Sequence, residues 1–476
     1  MGEVAAGECS RVRLMRESAA RSEHHFLVGR PGAPELLLFR GPEGWALPCI
    51  ECDEGRSADV SHIVRGAREG LGLEVSVLRC VRDVVGDGRR PRQHVHDLDV
   101  HRRGLSLPPR GRWFPRSELG TVRLARPDHR EMLETWFRER ENAWRPADGC
   151  DWQRPGWREQ VFRWVEGELA RAGRAPVSGI EQVRVWEFSQ VLRLQTDHGD
   201  CYFKAVARSL ATEPVLTRWL AMLFPAALPT VIAIEPDQRW LLMEGARGPA
   251  LMRVDEPSQW TQAAEACARI QIDCAERLAE LARLGCPARP LDWLSAEIEP
   301  LLEDRTAMQP GDAEALTDAE VAEVRALGPE LGAMCRELDA LGVPPSLEHG
   351  DLWGDNVIAA DARCVLIDWE DASISHPFFS PFLLLESLEY TPALARVPDA
   401  RKRIREAYLA PWRDRLRHWR AGRLERAFDL SQPLAAVHYA VQFRLGLPKI
   451  ETSWEVRAFL PLFLRSLLRQ RRSRGH

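Results

Sequence analysis

The sequence is at its most restrictive between Glu348 and Glu370. Glu348-His349-Gly350-Asp351-Leu352-Trp353-Gly354-Asp355-Asn356-Val357 places an aspartate and an asparagine five residues apart on a loop. Val365-Leu366-Ile367-Asp368-Trp369-Glu370 then reads as an apolar strand that ends in a carboxylate. Phosphoryl transfer needs this set: one carboxylate to orient a hydroxyl and accept its proton, and hard oxygen ligands for Mg²⁺. Its transition state is loose, so positioning and charge neutralisation carry most of the catalysis.

Composition sharpens the reading. The chain has 65 Lys+Arg, yet its only lysines are Lys204, Lys402 and Lys449, and its only asparagines are Asn142 and Asn356. One of two asparagines therefore falls in the loop described above. Lys204 stands in the strand-like run Cys201-Tyr202-Phe203-Lys204-Ala205-Val206. At 476 residues the chain suits two or three domains. No apolar run approaches the ~18 residues of a bilayer span, and a net charge of -5 argues against a dedicated nucleic-acid binder. Eleven cysteines, an odd number, argue against a disulfide framework and for the cytoplasm.

The best boundary is the Pro- and Gly-broken stretch Asn142–Arg158. Before it, strand-like runs at His25–Val28, Glu35–Phe39, Val75–Val85 and His94–Val100 and helical runs at Arg56–Gly70 and Asp128–Glu141 predict a small α+β unit. After it the order is a helix over Pro155–Ala172, strands over Val183–Phe188, Val191–Thr196 and Cys201–Ala207, and a turn at His198-Gly199-Asp200. A helix over Thr212–Leu223 and strands over Thr230–Glu235 and Trp240–Glu244 follow, and from Pro257 the pattern is mainly helical. A small strand-rich lobe joined to a helical lobe offers a cleft for a ligand.

On these motifs the segment from about Pro155 onward resembles the aminoglycoside phosphotransferase and choline kinase superfamily, over roughly the C-terminal two thirds of the chain. The resemblance implies an α+β, bilobal protein-kinase-like fold: a kinase domain over 146–476, with a small lobe at about 155–246 and a helical lobe at about 250–476. It implies Asp351 as catalytic base, His349 as support of the catalytic loop, and Asn356 and Asp368 as Mg²⁺ ligands. Lys204 matches the ATP lysine and Glu213 its helix partner, Met243 and Glu244 fit the hinge beside adenine, and Ser189 lies in a nucleotide-covering turn that has no glycine. Ser380, in His376-Pro377-Phe378-Phe379-Ser380, stands where relatives usually carry an aspartate that we read as structural. His438, Tyr439 and Gln442, on a late helix, read as helix packing, with a place facing the acceptor pocket as the other reading, and most of the 17 tryptophans read as core.

Residues 21–145, after an extension over 1–20, resemble a Nudix domain of α/β/α type. The resemblance is carried by Trp45-Ala46-Leu47-Pro48, by Arg65-Gly66-Ala67-Arg68-Glu69-Gly70-Leu71-Gly72-Leu73 and by Arg112–Leu119. Nudix hydrolysis needs several glutamates along one helix to hold Mg²⁺; here Gly66 and Gly70 occupy two of those positions and only Glu69 remains. The expectation is a Nudix-like fold without hydrolase activity. Cys49-x-x-Cys52, with Cys80, His94 and His96 further on, lacks a second pair at zinc spacing and reads as ordinary packing.

The leading expectation is a kinase that uses ATP, or another nucleoside triphosphate, and Mg²⁺ to phosphorylate a hydroxyl of a small polar acceptor, with neither nucleic acid nor membrane as partner. Two other readings stay open: a nucleotide-binding pseudokinase with a regulatory role, and a Nudix-type diphosphate hydrolase with an accessory kinase-like domain.

Overall fold

The computed structural model describes residues 22–52, 58–84, 91–101, 110–142, 150–177, 179–311, 315–360, 363–391, 394, 396–446 and 454–474. The expected extension over 1–20, the first residues of the expected helix at Arg56, Lys449 and residues 143–149 of the break between Asn142 and Arg158 lie outside them. The chain divides into two compact units, Met1–Arg208 and Ser209–His476. Both strand-rich and helical parts are present, so the fold class is α+β as expected.

The first unit contains strands β1 (Ser22–Val28), β2 (Glu35–Arg40), β3 (Trp45–Ala46) and β4 (Cys49–Cys52), then helix α1 (Ser61–Leu71). It continues with β5 (Val75–Val84), β6 (Arg92–Val100), β7 (Gly111–Pro115), α2 (Arg130–Glu141), α3 (Trp157–Arg171), β8 (Glu181–Val185), β9 (Ser189–Thr196) and β10 (Gly199–Val206). One sheet runs in the order β4-β1-β6-β5 and a smaller one in the order β3-β2-β7. Within the first sheet β1 and β6 are parallel, while β1–β4 and β5–β6 are antiparallel. Leu27 and Val95 share a core with Leu133, Trp136 and Phe137 of α2. The other face of that sheet receives α1, which approaches so closely that a Cβ on Gly66 would lie 2.5 Å from Ile50 Cδ1.

The expected strands all form, with their ends shifted by a few residues. Among the strands that alternation did not reveal are β4, whose Cys-Ile-Glu-Cys sequence holds a single large apolar residue, and β7. The hairpin turn sits one step earlier than expected, at Asp197-His198. Gly199 and Asp200 already pair with Thr196 and Gln195, and the Thr196 hydroxyl donates to the Gly199 carbonyl at 2.7 Å.

β8 is tied to the earlier part of its unit. The buried Gln182 accepts from the Val77 amide and donates to the Val77 carbonyl, both at 2.8 Å. Its own carbonyl accepts from the Ser61 hydroxyl at 3.2 Å, and the Val60 amide donates to the Val183 carbonyl at 3.1 Å.

The second unit opens with α4 (Glu213–Leu223) and the hairpin of β11 (Val231–Glu235) and β12 (Trp240–Glu244). Helix α5 (Pro257–Ala275) buries Trp260, Ala263, Ala264, Cys267, Ala268 and Ile270 at helical spacing. Four short strands follow: β13 (Ser346–Glu348), β14 (Val357–Ala360), β15 (Arg363–Leu366) and β16 (Ser373–Ser375). Among the helices after them are α6 (Ser380–Glu386), α7 (Ala400–Arg415), α8 (Arg423–Gly446) and α9 (Trp454–Arg474). Trp260, Trp369, Trp412, Tyr408 and Tyr439 are fully buried in one continuous apolar core, as expected for the tryptophans among them. No helix among the described residues is long and apolar enough to cross a membrane.

Replacing Gln182 by Ala strands both polar groups of Val77 away from water. A loss of about 1–3 kcal/mol of unfolding free energy is expected, measured by urea denaturation of the full chain.

Candidate active site

Two antiparallel ladders build the site in the second unit. β13 pairs with β16 and β14 with β15. The loop from His349 to Asn356 joins β13 to β14, and the loop from Ile367 to Ala372 joins β15 to β16, so pairing sets the two loops beside each other. The Ile367 amide donates to the Asn356 carbonyl at 3.0 Å and fixes that neighbourhood. Gly350 adopts φ +87°, and a Cβ there would lie 2.4 Å from the backbone carbon and oxygen of Asp371. Glycine is required at this crossing both by its left-handed backbone and by space. Asp368 is also left-handed, at φ +69°.

Asn356 Nδ2 donates to both the Asp351 carbonyl and Asp351 Oδ2, each at 2.8 Å. With Nδ2 committed in this way, Oδ1 is the atom of Asn356 left to meet a cation. Carboxylate oxygens of Glu213, Asp368 and Glu370 lie within 4.8 Å of one another. Burial, followed by the charges of Glu370 and Asp351, pushes the Asp371 carboxyl well above the usual carboxylate range, with Asp368 adding to the effect. Hard oxygen donors at this density, with negative charge in excess, fit a divalent cation such as Mg²⁺.

The loop rests on a buried carboxylate. Glu348 is 0% exposed, and its Oε1 accepts from the Gly350 amide at 2.8 Å, the Tyr439 hydroxyl at 2.8 Å and the Ser380 hydroxyl at 3.3 Å. His438 Nε2 lies 3.6 Å from the other oxygen. Burial alone would push the Glu348 carboxyl up. The nearby His438 ring, the Gly350 amide and the Tyr439 hydroxyl outweigh it and hold the carboxyl below its ordinary value, although burial also lowers His438 and disfavours a full charge there. Ser380 Oγ accepts from the His349 amide at 2.9 Å and from Gln271 Nε2 at 3.1 Å. The serine thus gives the loop a direct hydrogen bond. The buried His349 ring packs on Trp369 at 4.2 Å, and its Nδ1 accepts from the Asp351 amide at 3.3 Å. Burial pushes the His349 ring down to about 4, so it is a neutral acceptor at neutral pH.

Asp351, His349, Asn356, Asp368 and Glu213 therefore fall in one unit, together with Met243 and Glu244 at the end of β12. The Glu244 amide is already engaged with the Thr230 carbonyl at 2.9 Å. Lys204 and Ser189 belong to the first unit, on β10 and β9, where both are buried. Ser189 pairs with Val206, and its carbonyl accepts from the Trp186 amide at 2.8 Å. Sequence reasoning passed over Glu348, Glu370, Asp371 and Gln271, and took His438 and Tyr439 for plain packing. A charged residue ending the short run Ser346-Leu347-Glu348 was the available signal.

A loop aspartate bonded to an asparagine, beside clustered carboxylates, is a set of groups that phosphoryl transfer can use. The model of the phosphotransferase enzyme family matches residues 179–424, and the chain belongs to that family. Similar solved structures include Plasmodium vivax ethanolamine kinase, 13% identical, covering 61% of this chain and 82% of that chain with a TM-score of 0.44. Choline kinase from Cryptosporidium parvum Iowa II is 13% identical, covering 62% and 89% with a TM-score of 0.45. A putative fructosamine-3-kinase from Thermobifida fusca is 20% identical, covering 64% and 98% with a TM-score of 0.38. No curated protein sequence matches the chain.

Glu348→Gln keeps the shape and removes the charge that three donors serve. At neutral pH it is expected to cost roughly 1.5–3 kcal/mol. Because the native carboxyl is held below its ordinary value, its contribution is full above the ordinary carboxylate range and is lost as pH falls through the native value. The gap between wild type and Glu348→Gln in urea titrations therefore narrows toward acid pH.

Proposed function

We propose that this phosphotransferase is an ATP- and Mg²⁺-dependent kinase acting on a hydroxyl of a small polar acceptor, another nucleoside triphosphate being the alternative donor. The observation that carries the reading is the double hydrogen bond from Asn356 to Asp351, beside the Glu213, Asp368 and Glu370 carboxylates. In this reading Asp351 Oδ orients the acceptor hydroxyl and takes its proton as the oxygen attacks the γ-phosphorus and the nucleoside diphosphate departs. Asn356 Oδ1 and Asp368 would hold Mg²⁺, with Glu370 next to them. The cation neutralises phosphate charge when bound. Lys204 would supply the cation for phosphate oxygens, and Glu213 keeps the helix-carboxylate role that the resemblance gives it. Ser189 and the Met243–Glu244 backbone serve the nucleotide, the latter through carbonyls, since the Glu244 amide is spent. His349 holds the Asp351 amide and acts as a positioning residue.

The domain scheme of this reading is an extension over 1–20, a Nudix-like domain over 21–145 and a kinase domain over 146–476. Hydrolytic inactivity of the second of these is supported by Gly66, which has no carboxylate to offer and packs under Ile50, and by Glu69, which is exposed on α1. A cytoplasmic location is supported by the ten described cysteines, none of which is in a disulfide.

Turnover of Mg-ATP is to be measured across sugars, amino alcohols, aminoglycosides and nucleosides. Asp351→Ala is expected to lower kcat about 10²–10⁴-fold on any accepted acceptor while nucleotide binding persists. Equal turnover by the variant and wild type would refute the role of Asp351. A nucleotide-induced thermal shift with no turnover on any acceptor would favour a pseudokinase.

A further inference from the structure

The first unit contains a second cluster of ligating side chains, of a different chemical kind. Strand register gathers it on one face of the β4-β1-β6-β5 sheet. His24 pairs with Ile50 and His94, Ser22 with Cys52, Phe26 with His96, and Cys80 with His96. Alternation therefore points His24, Cys52, His94, His96 and Cys80 to the same side. It is the side that α1 covers through the Gly66–Ile50 contact, and α1 adds His62, whose ring centroid lies 5.1 Å from that of His24. Cys49, three residues before Cys52, pairs with His25 and faces the other way. The Cys-x-x-Cys spacing is thus not the basis of the cluster.

Two triads have ligand atoms within 4.8 Å of one another: His24, Cys52 and His62, and Cys80, His94 and His96. His24, His94 and His96 are each 0% exposed. Among the described residues, His24 Nε2, His94 Nε2 and His96 Nδ1 find no hydrogen-bonding partner. Burying such nitrogens without partners costs free energy that apolar side chains would not. Burial pushes His24 down to about 3, helped by the charges of His62 and Arg92, and pushes His96 well below its usual value. Both rings are neutral at neutral pH, the form in which imidazole binds a metal. Arg92 brings a positive charge to the same face, but its guanidinium is held by both Asp83 oxygens, at 3.2 and 2.9 Å.

Proton accounting selects between the triads. His24 Nδ1 and His96 Nε2 share one hydrogen bond at 3.0 Å. Each neutral ring has a single N–H, so one ring donates and turns a lone pair outward, while the other accepts and turns its N–H outward. Only one of the two can ligate a cation while this bond lasts. The Cys80 thiol donates to the Arg82 carbonyl at 3.3 Å, so its proton is already engaged. Cys52 and His62 are half-buried, whereas His94 and His96 of the other triad are 0% exposed.

We propose that the first unit binds one zinc-type cation through His24 Nε2, Cys52 Sγ and His62, with His96 accepting from His24 Nδ1 to fix its tautomer. A thiolate with two imidazoles is a borderline-soft donor set that suits Zn²⁺ and leaves a fourth position for water or a further ligand. The carboxylate site in the second unit is hard and suits Mg²⁺.

The test is metal analysis of the full chain after equilibration with Zn²⁺ and gel filtration, together with Co²⁺ substitution. One zinc per chain is expected. The cobalt form should show a thiolate-to-cobalt charge-transfer band that is lost in Cys52→Ser and kept in Cys80→Ser, with circular dichroism confirming that both variants are folded. His96→Leu should weaken Zn²⁺ about 10–100-fold, and His96→Gln, which can still accept from His24, should restore affinity. No retained zinc in the folded wild type would overturn the proposal. So would two zinc ions per chain, or a charge-transfer band that follows Cys80 instead of Cys52.

Discussion

A single buried negative charge organises the reaction loop. Glu348 ends a short strand in a place closed to water, where an unsatisfied carboxylate would be prohibitive. Its donors come from three directions: the Gly350 amide in the loop itself, Ser380 at the start of α6, and Tyr439 on α8. Satisfying that charge draws the loop, the helices and β13 to one point. The left-handed turn at Gly350 then passes against Asp371, and Asp351 emerges with its amide on His349 and its carboxylate on Asn356. Positioning of this kind is what a loose phosphoryl-transfer transition state demands of its protein.

Much of this was legible beforehand, for identifiable reasons. Asp351, Asn356 and Asp368 could be singled out as candidates because loop chemistry is written locally, within one stretch of sequence. Helix α5 was visible because its burial follows a helical period, and strand β12 because it is a short apolar run. What stayed hidden was long-range. Ser380 was recognised as a departure, but its bond to the His349 amide depends on α6 folding back onto β13. His438 and Tyr439 looked like packing because the charge they serve lies some ninety residues earlier in the sequence. Strand β4 escaped because its alternation carries cysteine and glutamate where a strand usually shows apolar residues.

The same limit explains the histidine cluster. Cys-x-x-Cys attracted attention because it is a local pattern, yet in an extended strand residues three apart face opposite sides. The side chains that do converge come from β1, β4, β5, β6 and α1, and only the register of the sheet brings them together. The chain thus has a carboxylate-rich group in one unit and an imidazole–thiol group in the other, and the softness of the donors separates the cations each would hold.

The most direct measurement is ³¹P NMR of the wild-type chain incubated with Mg-ATP and a pool of small polyhydroxy and amino-alcohol acceptors. The account predicts a new phosphate-monoester resonance that grows in step with ADP and disappears when the acceptors are left out. ADP accompanied only by inorganic phosphate, at a rate indifferent to every acceptor, would contradict it.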